Sequence, residues 1–114
     1  MIRGLHINST APFRAKNDAK DYSIREEDLL MTVLSAILWK KMNGPIKLYA
    51  DSTAMRYYES LGMADLWNEV NVSVLDNLPS DIDFVLYWAA AKFFALRDAE
   101  TPVMLVDTDL VVWN

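Results

Sequence analysis

Asp107-Thr108-Asp109 is the one grouping in these 114 residues whose types and spacing suggest chemistry. Two carboxylates two residues apart point to the same side of an extended backbone. Held close together they repel, unless a cation lies between them or one takes a proton. Hard divalent ions such as Mn²⁺ and Mg²⁺ prefer such oxygen ligands and often keep phosphate oxygens in their remaining positions. Asp107 and Asp109 are therefore the candidate metal ligands. The same residues also have a plain structural use, because aspartate after a strand forms turns through its own backbone. Context favours the ligand reading. Four apolar residues, Val103 to Val106, precede the pair, and four more, Leu110 to Trp113, follow it. Acids set between two apolar runs need a partner.

Other chemistries are excluded by count. With no cysteine, disulfide frameworks, thiolate zinc sites and cysteine nucleophiles are absent. The single histidine, His6, lies in an apolar run and reads as a satisfied structural residue. The glycines, Gly4, Gly44 and Gly62, are too far apart for a Walker loop or a GxGxxG turn. Lys92 lies four residues after Trp88 and could reach a phosphate or ribose, although a lysine stem packed on apolar surface is the blander reading. Trp39, Trp67, Trp88 and Trp113 share no period and read as core or interface residues.

The net charge of −5 argues against nucleic acid as a partner, since no lysine and arginine cluster exceeds Lys40-Lys41. It would also repel a bare anion, and a metal-bridged diphosphate resolves that conflict. The N-terminus lacks the pattern of a signal peptide, so a cytoplasmic location is expected. The longest apolar stretch, Leu29 to Trp39, is broken by Thr32 and Ser35 and is too short to span a bilayer.

The elements that must position the aspartates alternate along the chain. Met1 to Asn8 reads as a strand and Ser9 to Tyr22 as a loop. Ser23-Ile24-Arg25-Glu26 has the form of a capping box opening a helix. Leu30, Val33, Leu34, Ile37, Leu38 and Lys41 recur at helical spacing and predict the face that packs on the core. Gly44 and Pro45 stop this helix, and Ile46 to Ala50 is a strand ending at Asp51. Ser52 is expected to cap a helix reaching about Ser60, with Gly62 as its stop. The alternation of Val70, Val72 and Val74 favours a strand. Ser80 is expected to cap a helix to about Arg97, with Val85, Trp88, Ala89, Lys92 and Leu96 on one face. Val103 to Val106 reads as a central parallel strand. This order predicts a single α/β domain over residues 1–114: a Rossmann-like three-layer sandwich with a mostly parallel sheet. Ligands of such sheets bind outside the carboxyl ends of the strands, where Asp51, Asp107 and Asp109 fall.

Residues 84–114 resemble the DxD region of GT-A glycosyltransferases. The resemblance runs from Phe84-Val85-Leu86-Tyr87-Trp88-Ala89 through Lys92 to Pro102-Val103-Met104-Leu105-Val106-Asp107-Thr108-Asp109-Leu110. It is closest to capsular-polysaccharide and related DxD-containing sugar transferases of bacteria. His6-Ile7-Asn8-Ser9-Thr10-Ala11-Pro12-Phe13 sits where that family places its first strand and base-contacting loop, and Lys47 to Asp51 where its second strand ends. The resemblance implies the nucleotide-binding half of a GT-A fold and a UDP- or GDP-sugar donor held through Mn²⁺ or Mg²⁺. It implies that Asp107 contacts the ribose side and that Asp109 ligates the metal. More weakly, it places Thr10 and Ala11 in the base pocket, Asp51 against base or ribose, and Lys92 within reach of the nucleotide. Only five residues follow Asp109, so the acceptor half of such an enzyme is missing from the 114 residues. A donor-binding half, inactive alone, is the expected outcome.

Two other classes fit the sequence less well. Haloacid-dehalogenase-like phosphatases also follow a strand with DxD, but their motif continues with Gly-Thr and opens the domain, whereas Leu110-Val111 follows here. A non-catalytic α/β module could instead pair as a homo-oligomer through the apolar edge at residues 110–113.

Overall fold

A computed structural model describes residues 3–10, 23–78, 90–99 and 103–106. Its four strands are β1 (Arg3–Asn8), β2 (Ile46–Ala50), β3 (Glu69–Asn71) and β4 (Val103–Leu105). The helices are α1 (Glu26–Met42), α2 (Ser52–Ser60), the single turn α3 (Ser73–Asp76) and α4 (Ala90–Asp98), with a 3-10 turn at Ala64–Leu66. The strands form one sheet in the order β3-β2-β1-β4, and every pairing is parallel. Parallel neighbours require crossovers, which the helices supply. The architecture is Rossmann-like α/β.

Alternation along the strands separates two cores. Ile46, Leu48 and Ala50 face α1 and α2, in a cluster with Ala36, Trp39, Ala54, Tyr58, Trp67 and Val106. Leu5 and Tyr49 face the other way and pack with Leu75 of α3 and Ala95 of α4. Helices therefore cover both faces of the sheet, as a parallel sheet demands. Burying two such faces is the main apolar stabilisation of the domain.

α1 turns a different face inward from the one its apolar spacing predicts. Thr32, Ser35, Ala36 and Trp39 are buried, while Leu30, Leu34 and Ile37 are 59%, 39% and 46% exposed. Three contacts explain the choice. Trp39 lies against Gly4 so closely that a Cβ there would come within 2.7 Å of the indole. The Trp39 indole N–H also donates to the Pro45 carbonyl at 3.1 Å. Ser35 meets the buried His6 ring, which requires a polar neighbour. Small and polar residues thus let α1 approach the sheet where Leu and Ile would not fit.

Element ends differ from expectation in detail. α1 begins at Glu26 behind an extended Arg25 that makes no side-chain cap, so Ser23 and Glu26 form no capping box. The Ile24 amide donates to the Tyr57 hydroxyl at 3.1 Å, and Arg25 pairs with Asp28 at 3.2 Å. These contacts hold residues 24 and 25 outside the helix. Its C-terminus follows the sequence. Asn43 and Gly44 amides both donate to the Trp39 carbonyl, and Gly44 takes a φ of 123°. α2 is capped by Asp51 and not by Ser52. Val70 is in a strand, but β3 stops at Asn71, because the Asn71 carboxamide oxygen accepts from the Val74 amide at 3.1 Å and starts α3. Leu96 is exposed and Ala95 makes the inward contact of α4. Finally, β4 has β1 as its one strand neighbour among the described residues, so it lies at an edge and the central strands are β1 and β2.

Candidate functional site

The strand order fixes one special place. From β1 the chain crosses to β2 and then β3 on one side, whereas β4 pairs with the opposite side of β1. The order reverses between β1 and β4, and a crevice at the carboxyl ends of such strands is where open α/β sheets bind ligands. Asn8, Ser9 and Thr10 leave β1 there. Val106 leaves β4, its amide donating to the Leu5 carbonyl at 2.8 Å.

The β1 side of this rim is tightly tied. The Thr10 backbone N–H and hydroxyl both donate to Oδ2 of Asp51, at 2.7 Å each. Oδ1 of Asp51 accepts from the Ala54 amide at 2.9 Å, which caps α2. Both residues are buried. The side chain of Asn8 donates to the Tyr58 hydroxyl at 2.7 Å. One carboxylate thus joins the end of β1, the end of β2 and the start of α2, and its charge is met by hydrogen-bond donors and by a helix N-terminus. Farther along the edge, the Ser52 amide donates to Asp76 at 2.7 Å and the Ser52 hydroxyl contacts the same carboxylate.

The residues singled out from sequence divide accordingly. Thr10 and Asp51 come together, on each other. Lys92 falls in α4. Ala11, Asp107, Thr108 and Asp109, and the apolar run 110–113, lie outside the described residues, as do Met1, Ile2 and the helix positions before Ala90. Asp107 follows Val106 directly in the chain. Among the described residues no three histidine, aspartate or glutamate side chains gather to hold a metal.

His6 is fully buried and its two ring nitrogens have distinct jobs. The Trp67 indole N–H donates to Nδ1 at 3.0 Å, and Nε2 lies 2.9 Å from the Ser35 hydroxyl. Indole is a donor only, so Nδ1 carries no proton and Nε2 does. That is the opposite of what a general base would need toward a serine nucleophile. Ser35 and His6 are a structural pair. Ser35, Asn8, Tyr58 and Trp67 were not singled out as site or buried-network residues by sequence, since no spacing links Trp67 to His6 across 61 positions.

Tyr49 forms a further, partly buried polar contact, its hydroxyl donating to the exposed Asp98 at 2.7 Å. Burial, aided by that hydrogen bond to an anion, pushes the phenol well above its ordinary 10.0. A hollow lined by Val74, Asn77, Phe94, Arg97 and Asp98 involves none of the residues flanking the strand-order reversal. Among the described residues no helix is long and apolar enough to cross a membrane.

No family model, curated protein or solved structure matches the chain.

Proposed function

We propose that the chain binds a nucleotide-diphosphate sugar, UDP- or GDP-linked, through Mn²⁺ or Mg²⁺ held by Asp107 and Asp109, as the donor-binding half of a GT-A glycosyltransferase. One observation carries this reading. Val106 closes β4 against Leu5 of β1 at the strand end where the order reverses, and Asp107 is the next residue in the sequence. In sequence, the DxD directly follows a strand whose carboxyl end adjoins that reversal, which supports reading it as the ligand-binding motif. The metal would neutralise the diphosphate and act as a Lewis acid on the leaving group.

The described residues take supporting roles in this reading. Thr10 and Asp51 shape the rim beside the base, with the Asp51 carboxylate engaged by Thr10 and Ala54. That engagement makes Asp51 a positioning residue. Ala11, next in the chain after Thr10, is the further candidate for the base pocket, and Lys92 on α4 is the candidate cation for the nucleotide.

Titration calorimetry of the full chain with UDP and with GDP, with and without Mn²⁺, tests the proposal. Metal-dependent binding of one nucleotide, lost in Asp109→Asn, is expected. Absent or metal-independent binding of both would overturn it.

A further inference from the structure

The outward face of α1 carries a pattern that the domain does not use. Glu27, Leu30, Leu34, Ile37 and Lys41 follow one another at spacings of three, four, three and four residues. That is the seam of a coiled coil. The face lies nearly opposite the buried Thr32, Ser35, Ala36 and Trp39. Its three apolar members, Leu30, Leu34 and Ile37, are all exposed. Single exposed leucines are ordinary, but three on one helical stripe form a contiguous patch of the kind that marks an interaction surface.

Charge identifies the occupant. The stripe is acidic at its start, with Glu27, and basic at its end, with Lys41, and Leu34 lies at its midpoint. Such a stripe is complementary to itself when reversed. An antiparallel copy would bring Glu27 against Lys41 at both ends, Leu30 against Ile37, and Leu34 against Leu34 on the two-fold axis. Self-complementarity of this kind is what a two-fold homodimer interface requires.

We propose that α1 is the interface of a two-fold homodimer, formed by antiparallel packing of the Leu30, Leu34 and Ile37 stripe on a second copy of this chain. The contact is one helix wide, which puts it among the smaller, reversible interfaces. It is independent of the nucleotide site, since it uses neither end of the sheet.

Sedimentation velocity of the full chain, from about 10 µM to about 1 mM, tests this in a range suited to weak dimers. A concentration-dependent monomer–dimer equilibrium is expected. Glu27→Lys and Lys41→Glu should each weaken it roughly tenfold, because each turns two symmetry-related attractions into repulsions. The double variant, Glu27→Lys with Lys41→Glu, should restore it. Leu34→Glu, which sets like charges on the axis, should abolish it. All three substituted positions are on the outward face, and circular dichroism verifies that each variant keeps its helix. A monomer throughout would overturn the proposal and mean that another segment or partner covers the stripe. So would a dimer insensitive to these substitutions.

Discussion

Thr10 places its backbone N–H and its hydroxyl on a single oxygen of Asp51, each at 2.7 Å, and so locks the end of β1 to the end of β2. The other oxygen of that carboxylate caps α2. Any ligand at the carboxyl ends of these strands meets a rim whose shape is set before it arrives. Preorganisation of this kind lowers the cost of binding.

Removing the carboxylate should therefore cost stability. Asp51→Ala loses a helix cap and two charge-assisted bonds, and urea denaturation should show a loss of about 3 kcal/mol. Asp51→Asn keeps one acceptor oxygen but turns an N–H₂ toward another donor, so its loss should be smaller, about 1–2 kcal/mol. Equal stability of the alanine variant and the parent would mean that the lock is not formed.

The His6 network makes a separate prediction. With the Trp67 indole donating to Nδ1, His6 should be the neutral Nε2–H tautomer, visible in its imidazole ¹⁵N shifts. Trp67→Phe should remove the indole donor to Nδ1 in a buried site and destabilise the fold by about 1 kcal/mol or more, apart from the lost ring volume. An Nδ1–H tautomer in the parent would contradict the assigned contacts.

Tyr49 sets an alkaline limit. Its phenol is raised above 10.0 in the folded chain, so folding favours the protonated form. The associated stability is complete below the unfolded value and is lost as pH rises above it toward the folded one. Denaturation midpoints should fall from about pH 10 upward in the parent, the ordinary range for tyrosine. Tyr49→Phe should flatten that part of the profile while lowering stability at neutral pH, since Asp98 loses a donor.

These contacts also show which parts of the molecule could be read from sequence. The apolar runs of β1, β2 and β4, and the stops at Gly44 and Gly62, were readable because each depends on a local property. The inward face of α1 was not. Periodicity selects Leu30, Leu34 and Ile37, but the face that packs is chosen by Gly4 under Trp39 and by the need of His6 for Ser35. Both are contacts between distant residues. The same holds at the site. Asp51 at a strand end was visible as a candidate, and its bond to Thr10 emerges only when β1 and β2 lie side by side. At residues 69–76 the valine alternation was real, and one side chain, Asn71, ended the strand.

The proposed metal–nucleotide complex lies at the reversal of strand order between β1 and β4. Mn²⁺ broadens the NMR signals of nearby amides, so a ¹⁵N spectrum of the full chain with UDP or GDP and substoichiometric Mn²⁺ reads that place directly. Binding there should selectively remove the Ser9, Thr10 and Val106 amide signals, leave Glu69 and Asn43 unaffected, and let all signals recover in Asp109→Asn. Broadening centred on other residues, or broadening that persists unchanged in Asp109→Asn, would contradict it.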